Sequence, residues 1–259
     1  MILTLWASPG LRSLAGLLLG LIVGSFLGAL VTRWPRGESV ATGRSHCDGC
    51  RVALGPRDLV PVLSAFAAGL RCRRCGMRID PVHLLMELGC ATLALLAFLW
   101  TDEPVAALGW SLLGWLLLAL AVLDGRHFWL PDGLTLPLAF LGLTIGPFTN
   151  DVPLTDRWIG AAIGYGGLMG IALGYRALRG REGLGWGDAK LLGAVGAWVG
   201  WLALPFLLLM ASLLGLGWAV LVTLKKGGMR ADLRLPLGTF ICLATPPAML
   251  VEAALRSSA

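Results

Sequence analysis

The sequence predicts an all-α polytopic membrane protein with about eight transmembrane helices and a small zinc-binding domain between the first and second. Three observations carry this. The chain is 57% hydrophobic and 14% charged over 259 residues, too apolar for a soluble domain. Several uncharged runs reach the roughly 18 residues that cross a hydrocarbon core. The one long polar stretch holds two Cys-x-x-Cys knuckles.

The elements follow in order. Leu14 to Val31 is uncharged for 18 residues, with Gly16, Gly20, Gly24 and Gly28 on one face for close helix approach. This run is longer than a signal-peptide core and no clear Ala-x-Ala site follows, so it is expected to be retained. Leu84 to Trp100 contains only Glu87, and Val105 to Leu123 carries no charge. Gly133 to Phe148 is shorter and opens after Pro131-Asp132. Trp158 to Tyr175 is uncharged and repeats the glycine spacing at Gly166, Gly170 and Gly174, predicting a second packing face. Leu191 to Leu224 is uncharged for 34 residues. At about 1.5 Å per residue that overshoots a crossing of roughly 30 Å, so a break near Pro205 is expected. Leu235 to Leu255, with only Glu252, completes the set. The domains read as 1–33, the first helix; 34–81, a cytoplasmic zinc domain built on four cysteines; and 82–259, the transmembrane core.

Basic residues predict orientation. With the N-terminus outside, 18 of the 21 Lys and Arg residues fall in cytoplasmic segments. These include nine arginines from Arg33 to Arg78, then Arg126, Arg176, Arg179, Arg181, Lys190, Lys225, Lys226, Arg230 and Arg234. Arg12, Arg157 and Arg256 remain outside. The +6 net charge is therefore mostly positive-inside bias, which removes the case for nucleic acid and favours contact with anionic membrane lipid.

Cys47 and Cys50 are followed, after 21 residues, by Cys72 and Cys75. Two such pairs can close a tetrahedral Zn²⁺ site. Disulfides or idle thiols are the alternative, which a reducing cytosol disfavours. Cys90 and Cys242 fall in apolar runs and read as small core residues.

Carboxylates at membrane depth are costly and usually functional or paired. Asp124 ends the third run, Asp132 opens the fourth, and Asp188 lies in Gly185-Trp186-Gly187-Asp188-Ala189-Lys190. Two aspartates brought together can share a proton, one activating water while the other hydrogen-bonds a peptide carbonyl. Gly185 and Gly187, without Cβ atoms, let an extended backbone approach Asp188. Plainer readings exist for each. Asp132 suits a helix N-cap. Asp188 can cap or pair with Lys190. Asp124 sits where the helix dipole disfavours an anion, with Arg126 as a candidate partner. Glu87 serves either a chemical site or an arginine of the polar domain.

Together these residues resemble the prepilin peptidases, the type IV leader peptidases that double as N-methyltransferases. The likeness runs through Gly24-Ser25-Phe26-Leu27 with Arg33 and Pro35, and Arg44-Ser45-His46-Cys47-Asp48-Gly49-Cys50. It continues in Asp58-Leu59-Val60-Pro61, Cys72-Arg73-Arg74-Cys75, Leu130-Pro131-Asp132 and Gly185-Trp186-Gly187-Asp188. The resemblance implies a membrane aspartic protease of the GxGD type in the bacterial inner membrane, with 82–259 as its peptidase core. It assigns catalysis to Asp124 and Asp188, with Gly185, Gly187, Asp132 and Lys190 around them, and Glu87 near the methyl-transfer site. It implies structural Zn²⁺ on the four cysteines and S-adenosylmethionine as methyl donor. Its substrates would be type IV prepilins or pseudopilins, cut on the cytoplasmic side, and its partners the pilus or type II secretion machinery. The sequence departs from the pattern in three places, all in the N-terminal part. Gly28 replaces asparagine, Asp48 replaces proline, and Val82-His83-Leu84 replaces Arg-Tyr-Pro.

A rival reading is a proton-coupled small transporter with a regulatory zinc domain. It calls for buried charge on a path open to both faces, whereas the acids cluster at one edge and the outer half is expected to hold no buried charge. A protein that only binds pilus-assembly components is a third.

Overall fold

The computed structural model describes residues 8–40, 45–180, 185–226 and 234–257. Arg44, Arg181 and Arg230 lie outside the described residues. Among those described, the main helices are α1 (Pro9–Arg33), α2 (Pro81–Trp100), α3 (Pro104–His127), α4 (Asp132–Thr144), α5 (Leu154–Arg179), α6 (Trp186–Val199), α7 (Leu204–Lys226) and α8 (Leu237–Ser257). Six of them are long and apolar enough to cross a membrane. The other two, α4 with 13 residues and α6 with 14, fall short of a full crossing. The 34-residue run breaks just ahead of Pro205, where Gly200 takes a left-handed φ of 71° and closes α6. Among the described residues there is no strand, only the bridge pairs His46–Ala53 and Arg71–Arg78.

The chain forms two compact units, Met1–Ala119 and Leu120–Ala259, with the boundary inside α3. In the first unit the glycine face of α1 lies directly on α2. A Cβ at Gly20 would stand 2.4 Å from the Cys90 carbonyl oxygen, and one at Gly24 2.5 Å from that of Met86. The start of α3 packs on α2 as well, where the Trp115 indole N–H donates to the Cys90 carbonyl at 2.9 Å.

In the second unit α5 packs on α6, but not through the expected glycines. Gly166, Gly170 and Gly174 meet nothing within 4 Å. The close approach uses Gly160 and Gly164 instead, against Gly196 and Leu192, with Cβ positions 2.5 and 2.7 Å from those residues' carbonyl oxygens. The expected set has the right spacing and the wrong face: a four-residue step preserves a helix face without saying which face is covered.

Arg157 also departs from expectation. Expected in an outer segment, it is fully buried. Its guanidinium donates to carbonyls at the ends of both short helices: Gly142 (3.3 Å), Ala197 (3.2 Å) and Trp198 (3.0 Å). It also reaches the carbonyls of Gly146 (2.8 Å), Asn150 (3.3 Å) and Val152 (3.1 Å), and the Asn150 side-chain oxygen. Helix C-termini leave carbonyls unpaired, and hydrocarbon offers them no water. One guanidinium, with five donors in a fixed fork, satisfies the ends of α4 and α6 together. Buried Glu252 pairs with Arg256, which also reaches Asp156 at 2.6 Å. The half expected to face outward therefore does hold buried charge, and that charge is engaged in local contacts.

Two outcomes are expected from thermal unfolding in detergent. Gly160→Ala should cost about 1–3 kcal/mol through overpacking, whereas Gly166→Ala should leave the midpoint unchanged or slightly higher. Arg157→Met should cost about 3 kcal/mol or more, because each buried carbonyl left without a donor costs about 1–3 kcal/mol.

Candidate active site

Asp124 lies on the last turn of α3, in the second unit, and is 4% exposed. Its own helix dipole opposes a negative charge there. The compensation comes from another helix. Asp124 Oδ2 accepts the Thr239 backbone N–H at 2.7 Å and lies 3.2 Å from the Thr239 hydroxyl. That hydroxyl is also 3.0 Å from the Ala121 carbonyl oxygen. Thr239 is in the first turn of α8, where N–H groups are free and the dipole is positive.

Asp188 occupies the third position of α6, whose N-cap is Gly185. Its carboxylate turns back toward the Gly185 backbone, in the direction taken by the acidic residue of a capping box. Gly238, beside Thr239 at the start of α8, lies against the Asp124 carboxylate, and Asp188 is close enough for the Asp124 charge and the Gly238 N–H to act on it. The two aspartates therefore meet at one helix N-terminus. A Cβ on Gly238 would come within 3.0 Å of Asp124 Oδ2, so this position admits only glycine without a shift.

The neighbouring residues divide differently from the sequence reading. A Cβ at Gly185 would stand 3.0 Å from Asp188 Oδ2, and one at Gly187 2.9 Å from the Leu130 side chain. The space these glycines leave is thus taken by the protein's own atoms. Asp132 is the first residue of α4 and not its N-cap, which is Pro131. Lys190 pairs with Asp132, at 2.7 and 2.9 Å to its two oxygens, rather than with Asp188. Gly238 and Thr239 escaped the sequence reading. The available signal was Pro236-Leu237-Gly238-Thr239 opening the last apolar run, a proline start followed by residues suited to a helix N-terminus.

In the first unit Cys47, Cys50, Cys72 and Cys75 converge, their sulfurs all within 4.8 Å of one another. Cys47 and Cys75 sulfurs are 3.8 Å apart, Cys50 and Cys72 sulfurs 4.0 Å. A tetrahedral ion with metal–sulfur bonds of about 2.3 Å requires about 3.8 Å. The two knuckles fold alike. The Arg51 N–H donates to the Cys47 carbonyl and the Gly76 N–H to that of Cys72, both at 2.9 Å, with Arg51 and Gly76 at φ 57° and 71°. The N–H groups of Cys75 and Arg74 pull the Cys72 thiol down to about 6. The Met77 N–H favours the Cys75 thiolate, but burial and the other three sulfurs push that thiol up to about 11. A cation held among the four sulfurs would favour their thiolate forms, as a metal site requires. His46 stands outside the cluster, its ring 3.2 Å from Arg51.

Glu87, 8% exposed on α2, accepts the Val62 backbone N–H at 2.7 Å. Val62 has φ 62° and ψ −55°, and the Leu63 N–H closes on the Pro61 carbonyl at 2.6 Å. This is a γ-turn on a β-branched residue, a strained conformation.

Fold and site together define a multi-pass helical membrane protein with a buried aspartate, Asp124, a half-buried one, Asp188, near it, and a four-cysteine cluster that can hold a metal ion. The model of the bacterial peptidase A24 N-terminal domain matches residues 18–101, and that of the type IV leader peptidase family matches residues 111–220. A prepilin leader peptidase/N-methyltransferase of Klebsiella pneumoniae is 41% identical over 199 residues, covering 74% of this chain and 87% of its own. The Pseudomonas putida protein of the same name is 34% identical over 269 residues, covering 93% of each chain. That of Dickeya chrysanthemi is 40% identical over 231 residues, 80% of this chain and 82% of its own. No solved structure matches significantly. The chain belongs to the type IV leader peptidase family.

Metal analysis of the purified protein should find about one ion per chain, and Cys47→Ser should lose it. Affinity should fall as pH is lowered, because each thiolate must then release metal to take up a proton.

Proposed function

We propose that this chain is a prepilin leader peptidase/N-methyltransferase in which Asp124 and Asp188 are the catalytic pair. The observation that carries the reading is that Asp124 is held by the first turn of α8, through Thr239, with Asp188 close enough for their charges to interact. The ionised carboxylate takes a proton from water as that water attacks the scissile carbonyl. The protonated one hydrogen-bonds the carbonyl oxygen and then helps the amine leave. The Thr239 N–H fixes the Asp124 carboxylate before substrate arrives, so that carboxylate reorganises little during the reaction.

The substrate class is prepilins and pseudopilins, cleaved ahead of an apolar helix. Positive-inside charge puts the N-terminus outside and the cysteine domain in the cytoplasm, with the protein in the bacterial inner membrane. The aspartate pair then lies at the cytoplasmic edge, where a scissile bond emerges from the bilayer. The partner machinery is a pilus or type II secretion system. The metal is Zn²⁺ in a structural role, because four cysteines leave no open coordination position. S-adenosylmethionine, when bound, supplies the methyl group for the new N-terminal amine. A proton-coupled transporter is disfavoured, since Asp132 is spent on Lys190, Arg157 on carbonyls and Glu252 on Arg256.

The deciding assay mixes wild type, Asp124→Asn and Asp188→Asn in detergent with a prepilin-like substrate and reads leader loss by mass. Each substitution should abolish cleavage while leaving folding intact; cleavage by either variant would refute the assignment. Thr239→Val keeps the backbone N–H and loses only the hydroxyl, so cleavage should fall about tenfold rather than vanish.

A further inference from the structure

In the first unit a cavity of about 260 Å³ lies between the C-terminal end of α1, the N-terminal end of α2 and the cysteine domain. Its walls include Ala29, Leu54 and Ile79, together with two buried charged side chains, Arg33 and Glu87. Arg33 is 7% exposed; its Nη2 donates to the His46 carbonyl at 3.0 Å, while its Nε is buried with no partner. A buried guanidinium N–H left open is costly, and an anionic group of a ligand would satisfy it. Glu87 places a carboxylate on the same wall. One of its oxygens holds the strained Val62 turn through the N–H bond at 2.7 Å. Strain maintained by a buried side chain at a cavity points toward function.

A buried cation and a buried anion in one small, partly apolar cavity suit a zwitterionic ligand carrying both a carboxylate and a positive centre. We infer that this cavity receives the amino-acid and sulfonium end of the methyl donor, with Arg33 binding its carboxylate and Glu87 facing its positive charge. The inference rests on the methyltransferase reading above and adds Arg33 and the cavity to Glu87, which the family resemblance already associates with methyl transfer. It also separates the two activities in the chain, since the aspartate pair belongs to the other compact unit.

Calorimetric titration of the full-length, metal-loaded protein in detergent tests this with two probes. S-adenosylmethionine carries the sulfonium; S-adenosylhomocysteine is the neutral thioether with the same carboxylate. Arg33→Gln should weaken both by about tenfold or more. Glu87→Gln, which keeps an acceptor for Val62, should weaken S-adenosylmethionine by a similar factor and S-adenosylhomocysteine much less. Leader cleavage, followed in parallel, should stay at the wild-type rate. If wild type binds and methylates while both variants bind both probes unchanged, the cavity is not the site and the methyltransferase reading survives. If wild type neither binds nor methylates, both fall. Ultraviolet cross-linking of S-adenosylmethionine to wild type answers without any substitution: label in peptides spanning 25–87 supports the cavity, and label within 120–259 overturns it.

Discussion

Two helices of 13 and 14 residues end together on the guanidinium of Arg157, and the second unit depends on that junction. A helix that stops short within hydrocarbon leaves carbonyls with no water to turn to. Without a buried donor set, α4 and α6 would have to lengthen or unravel, and their N-terminal ends would move with them. Those ends carry Asp132, paired with Lys190, and Asp188. The Gly160–Gly196 contact brings α5 close to α6, and the indole of Trp198 donates to the Leu138 carbonyl at 2.8 Å, tying α6 to α4. An arginine at the far ends of these helices thus holds the scaffold that presents one of the aspartates.

At the other end of that scaffold the governing interaction is between carboxylates and a helix N-terminus. Asp124 is badly placed on its own helix and well placed on α8, and Asp188 is well placed on its own. The Asp124 carboxylate is therefore withdrawn from water without being left unpaired, because fixed N–H groups take the place of solvent, while Asp188 stays half-buried beside it. Backbone groups at one helix end are enough to bring two acids together.

Much of this was legible in the sequence, and the reason differs by feature. Long apolar runs declare helices because hydrocarbon demands them, and the break before Pro205 follows from length alone. The glycines of α1 were readable because every one of that period-four set packs on α2. The same period in α5 misled, because Gly160 and Gly164 carry the contact and Gly166, Gly170 and Gly174 do not. Asp124 and Asp188 stood out as acids at apolar edges. Thr239 did not, because its role depends on a partner 115 residues away. Arg157 looked like an outer loop cation because its acceptors are mostly backbone carbonyls, which no residue type reveals. The γ-turn at Val62 was equally hidden, being a conformation that a valine ordinarily avoids.

The central claim is that the α8 N-terminus gathers Asp124 and Asp188 into one site. The direct measurement is cross-linking of the double variant Asp124→Cys with Asp188→Cys, in a Cys242→Ser background, by a short bifunctional thiosulfonate. Mass analysis of the digested protein should find the two peptides joined. Absence of that link, with position 124 joined instead to a control cysteine introduced by Asp132→Cys, would contradict the account.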